Sequence, residues 1–175
     1  MQAGAPITPA KALGLLAVVV IVVAAFLGLL AAVGNDEAWA GFLFLLYWSM
    51  VEGLKTEALP KSIVGALVGL GIASLLFLLP QRLGVTPGLL VFLVVILVLV
   101  YVHITSLLPI AVNAATMIFL TVATIPHVQA QASFSQILGA LLLGVAYFGG
   151  LGVVVSFVMK RRAAAAPGAI DPAHE

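Results

Sequence analysis

Gly88-Leu89-Leu90-Val91-Phe92-Leu93-Val94-Val95-Ile96-Leu97-Val98-Leu99-Val100-Tyr101-Val102-His103 decides the fold class. This run sits inside a longer one: from Leu83 to Met159, 77 residues pass without a Lys, Arg, Asp or Glu. Of the 175 residues 64% are apolar and 7% charged, against about 25% charged in ordinary soluble domains. A chain this short has too much surface for its volume to hide so much apolar side chain from water. Soluble enzymes and nucleic-acid binders are excluded on that ground. With no cysteine there is no disulfide framework and no thiolate chemistry. Three scattered histidines are poor material for a metal site. The expected class is an all-α membrane protein.

A hydrocarbon layer about 30 Å thick takes roughly 20 apolar residues in a helix. Outward from the fourth segment (about 88–108), the same reading finds five more: 12–33, 38–54, 62–79, 110–125 and 136–159. Together they predict a six-helix transmembrane domain over residues 1–162, followed by a flexible tail, 163–175, with two prolines and nothing to bury. The first segment is too long for the apolar core of a cleaved signal and is read as a retained helix. Charge places the ends. With the N-terminus in the cytoplasm, Lys11, Lys55, Lys61, Lys160, Arg161 and Arg162 all fall on the cytoplasmic side, and Arg82 alone lies opposite, with Asp36 and Glu37. Both termini are therefore expected in the cytoplasm.

The second and fifth segments have short uncharged cores, Ala38–Val51 and Ile110–Ile125. A shift of 74 brings Ser62-Ile63-Val64-Gly65-Ala66-Leu67-Val68-Gly69 onto Gln136-Ile137-Leu138-Gly139-Ala140-Leu141-Leu142-Leu143, and the two short segments coincide in the same frame. Three crossings per unit would make this an inverted repeat. Undersized helices in corresponding positions of such halves point to a solute site or pore. Gly65, Gly69, Gly139 and Gly144 read as helix-packing residues that let backbones approach. Phe148-Gly149-Gly150-Leu151-Gly152 marks a place where the sixth helix bends or loosens.

Polar residues at membrane depth are costly and so become candidates. On a continuing helix, Trp48 and Glu52 share a face with Phe44, and Ser49 lies beside them. They read either as a pore mouth or as a helix end in water with Glu52 paired to Lys55. His103, one turn before the end of the fourth segment, reads as a proton-sensitive gate or as an imidazole reaching the interface. Asn113, Thr116, Thr121 and Thr124 fall on one side of the fifth helix, the lining of a path for a hydrogen-bonding solute, unless the hydroxyls bond back to their own helix. Among the motifs sought, none is catalytic or nucleotide-binding, so no enzyme and no cofactor is expected.

Trp39-Ala40-Gly41-Phe42-Leu43 opening a short helix, and Leu108-Pro109 through Thr121-Val122-Ala123, resemble the YcdZ-like bacterial inner-membrane proteins, a family of unknown function, over residues 12–160. Here Met50-Val51-Glu52-Gly53 stands where that family has smaller residues. The resemblance implies a bacterial inner membrane and no particular solute. The expected function is a channel or transporter for a small solute, lined by the second and fifth helices, in a homo-oligomer surrounded by the lipid bilayer. The alternative is a non-transporting subunit packed against partner membrane proteins. Nucleic acid is not an expected partner.

Overall fold

The computed structural model describes residues 8–131 and 133–164. Within them the chain is helical. The elements are α1 (Pro9–Ala32), α2 (Ala38–Met50), a 3-10 turn (Thr56–Ala58), α3 (Leu59–Leu83), α4 (Val85–Ile104), α5 (Ala114–Ala123), α6 (Pro126–Gln131), α7 (Phe134–Gly144) and α8 (Gly150–Ala164). A π-helical turn, Val145–Gly149, joins α7 to α8 at the edge of the glycine cluster, where the expected loosening takes the form of a widened turn. Four helices are long and apolar enough to cross a membrane: Pro9–Ala32, Thr56–Leu83, Val85–Ile104 and Phe134–Arg162. The helices α2 and α5 are shorter apolar elements.

Several sequence boundaries move. The second helix stops at Met50, not residue 54, because Gly53 and Leu54 take positive φ and turn the chain. The fourth stops at Ile104, since Ser106 has φ 52° and Pro109 follows. The fifth begins at Ala114, where Asn113 caps it, and ends at Ala123. The polar stretch after it holds the extra helix α6. The last helix runs to Ala164, beyond the expected start of the tail; the remainder of that tail lies outside the described residues.

The two short helices lie inside the bundle. The face of α2 packs mainly along α7, and α5 along α3; α4 lies on α3, and α1 touches α7. Small residues set these crossings. A Cβ on Gly144 would strike the backbone of Gly41, and one on Gly69 would strike the Thr116 carbonyl, so α2 and α5 each lie almost backbone to backbone on a long helix. An aromatic cluster ties α1 in: Phe26 meets Phe42 edge-on at 5.2 Å and Phe148 at 4.7 Å, while the Tyr147 hydroxyl donates to the Val22 carbonyl at 3.1 Å.

Buried positions recur at a spacing of 75. Ala40, Gly41, Phe44 and Trp48 on α2 correspond to Ala115, Thr116, Phe119 and Ala123 on α5. Ser62, Gly65, Ala66, Gly69 and Ala73 on α3 correspond to Ile137, Ala140, Leu141, Gly144 and Phe148. These buried faces stand one residue out of step with the 74-residue frame. The shift of 74 aligns identical residues of two apolar helices, whereas buried faces follow the geometry of the crossings. Gly65 and Gly139, identical in the 74 frame, consequently play unequal parts: Gly65 is buried and Gly139 only half-buried.

Candidate functional site

One end of the bundle carries a polar cleft. The turn after α2, the start of α3, the end of α4 and the start of α5 meet there, and the space of about 340 Å³ is lined by Tyr47, Glu52, Lys61, His103, Ser106 and Asn113 among others. Its centre is an ion pair: Lys61 Nζ donates to Glu52 Oε2 at 2.8 Å, and the Tyr47 hydroxyl donates to Glu52 Oε1 at 2.7 Å. The Glu52 side chain is only 12% exposed. Burial pushes its carboxyl up, but the Lys61 ammonium and the Tyr47 hydroxyl outweigh burial and hold it below its ordinary value. Both Glu52 oxygens are thereby engaged. The expected pair with Lys55 gives way to Lys61. Because α2 ends at Met50, Glu52 leaves the helix face it was expected to share with Phe44 and Trp48.

Asn113 borders this cleft as a structural clamp. Its Oδ1 accepts from the Ala115 N–H at 2.9 Å, its Nδ2 donates to the Lys61 carbonyl at 3.0 Å, and Thr116 completes a capping box by accepting from the Asn113 N–H at 3.1 Å. Asn113 thus caps α5 and ties it to the first turn of α3. At the other end Asn35, which does not cap α2, makes a similar pair of bonds: it accepts from the Glu37 N–H at 2.9 Å and donates to the Gln136 carbonyl at 2.8 Å. Lys61 and Gln136 stand 75 apart, the same spacing as the buried faces.

The remaining sequence candidates do not line this cleft. Thr116 is fully buried and donates to the Ala111 carbonyl at 2.8 Å. Thr121 donates to Met117 at 2.7 Å and Thr124 to Leu120 at 2.9 Å, each back along its own helix. Ser49 likewise donates to Leu46 at 3.1 Å. Trp48 is buried at 1% exposure, with its Nε1 donating to the Lys55 carbonyl at 2.9 Å and its indole against Gly152. Phe44 and Phe119 are both fully buried in the apolar core of the bundle. Glu52, His103 and Asn113 do come together. The packing glycines Gly65, Gly69 and Gly144 sit at close backbone or side-chain approaches, and Gly139 lies beside the Asn35 amide.

Sequence reasoning missed Tyr47, Lys61 and Asn35. Lys61 was legible only as a charge that orients the chain. Tyr47 and Glu52, five residues apart, meet only because the helix breaks between them. Among the described residues, no group of three His, Asp or Glu side chains could hold a metal ion. No family model matches the chain, and neither a curated protein nor a solved structure matches it.

Proposed function

We propose that this chain is a multi-pass protein of a bacterial inner membrane that passes a small hydrogen-bonding solute without catalysis, with the Glu52–Lys61 cleft as its cytoplasmic mouth. One observation carries the reading: Tyr47, Glu52, Lys61, His103 and Asn113, brought from four separate stretches of chain, converge on a single polar cleft in a molecule with 7% charged residues. Polar groups gathered where apolar ones are cheaper imply a use.

The 75-residue recurrence of buried faces supports an inverted repeat of two three-helix units, the construction in which short helices flank a solute site. Since Thr116, Thr121 and Thr124 spend their hydroxyls on backbone carbonyls, passage on this reading proceeds by movement of one unit against the other, as in a carrier, in place of an open pore lined by threonines. The resemblance to the YcdZ-like proteins agrees with the inner-membrane location and names no solute.

Purified protein in liposomes tests this. Flux of small neutral solutes or organic acids is expected, reduced by Glu52→Gln and unchanged by Thr121→Val, whose hydroxyl serves its own helix. Absence of flux across ions, neutral solutes and organic acids would sink it. A second reading, a subunit that packs on a partner or on further copies, is favoured by a separate feature: an open apolar groove of about 550 Å³ along α2 that includes Trp39, Phe42, Leu46 and Val122. Recovery of one stoichiometric partner, with no flux, would select it.

A further inference from the structure

The apolar rod of α8 continues well past its contact with α2. Gly149 sits against Leu59, and Gly152 against the indole of Trp48, which itself donates to the Lys55 carbonyl. These contacts fix where α8 passes the turn between α2 and α3. From Gly152 the helix climbs eight more residues to Lys160, a rise of about 12 Å. Along it Val153, Val154, Val155, Phe157 and Met159 are exposed and apolar. Only then does the basic triplet Lys160-Arg161-Arg162 arrive, the kind of sequence that marks a membrane surface. The N-terminal half of α1 extends likewise, with Leu13 to Ile21 largely exposed beyond the Val22–Tyr147 contact.

The short helices cannot fill the depth that these rods define. Thirteen residues in α2 and ten in α5 reach about 20 Å and 15 Å, against a hydrocarbon layer of about 30 Å. The non-helical backbone after α2 and before α5 is therefore held at hydrocarbon depth, together with the Glu52–Lys61 pair. Irregular backbone is tolerated there only where protein or water covers it. Val51 and Ser106 line the cleft and are exposed, so protein does not cover them.

We propose that the Glu52–Lys61 cleft is the floor of a water-filled recess sunk below the level of Lys160–Arg162, with α2 and α5 forming a septum thinner than the bilayer. This deepens the passage reading and rests on its membrane placement, but its test measures water and not flux. A finding of water without flux would remove only the passage reading.

The chain contains no cysteine, so single-cysteine variants each carry one thiol. In lipid nanodiscs, where both faces meet the reagent, the rate of modification by a charged methanethiosulfonate is measured for Val51→Cys, Ser106→Cys, Val154→Cys and Arg162→Cys. Val51 and Val154 are 56% and 59% exposed on the protein itself, so a difference between them reports what surrounds each. The reactive thiolate needs water. Both cleft variants are expected to react within about tenfold of Arg162→Cys, and Val154→Cys about a hundredfold slower. The proposal is overturned if the cleft variants are as slow as Val154→Cys, which makes the cleft dry. It is equally overturned if Val154→Cys is as fast as Arg162→Cys, because that stretch of α8 then stands in water and no recess exists.

Discussion

Gly144→Ala tests the crossing of α2 on α7 with a single methyl group. The added Cβ meets the Cα, carbonyl carbon and oxygen of Gly41, all backbone atoms with no flexible side chain to swing aside. Gly41 is itself pinned, since Phe26 and the Ala140 carbonyl occupy the space its own Cβ would take. The two helices must separate, and overpacking of this kind costs about 1–3 kcal/mol. Alanine is also the better helix former by up to about 1 kcal/mol, which offsets part of that cost. Gly71→Ala and Gly28→Ala carry the same propensity gain with nothing within 4 Å of the new Cβ. Subtracting these controls isolates the clash. For a chain of this size each kcal/mol moves Tm by about 2–4 °C, so Gly144→Ala should melt roughly 2–12 °C below the controls. The assay is thermal unfolding in detergent or nanodiscs, followed by tryptophan fluorescence, because Trp48 packs on the same rod at Gly152. If all three variants melt together, backbone-to-backbone contact does not hold α2 in place and the account of the crossing fails.

Asn113→Ala removes both the cap of α5 and its tie to the Lys61 carbonyl, and should destabilise by about 1–2 kcal/mol; Asp at this position keeps the cap acceptor, loses the donor, and should fall between. Both are read by Tm. Glu52 is held below its ordinary value of 4.5, so the unfolded chain binds its proton first. Its stabilisation is present above that value and is lost as pH falls through the lower folded value. A plot of Tm against pH should show this acid-side decline in the native chain and a smaller one in Glu52→Gln; equal slopes would refute it. Trp48→Ala empties a fully enclosed site and should cost about 3–5 kcal/mol by denaturant or thermal unfolding. A loss under 1 kcal/mol would mean that the indole is not where the fold needs it.

The existence of the helices was legible because it depends on runs such as Leu89 to Val102, where every residue votes the same way. Their ends were less so. The stop at Met50 follows from Gly53 and Leu54 taking positive φ. On sequence alone the helix runs through Gly53 to residue 54, and nothing local requires the glycine and its leucine neighbour to turn the chain. The site was half legible. His103, Glu52 and Asn113 stand at segment ends that topology puts on one side, and they do share a cleft. Helical periodicity placed Thr116, Thr121 and Thr124 on one side of a helix, but it carries no information about χ1. Each hydroxyl turned to a backbone carbonyl of the same chain segment, which satisfies it without any neighbour.

The apolar character of the long helices was determined by the sequence alone, because transfer of a helix out of water is close to a sum over its own residues. Which residue meets which was decided only in three dimensions. Lys61 in place of Lys55 as the partner of Glu52 and the Asn113 tie to α3 both follow from how closely two helices approach. That distance is set where Gly144 meets Gly41 and Gly69 meets Thr116, residues far apart in the chain, and no local sum contains it.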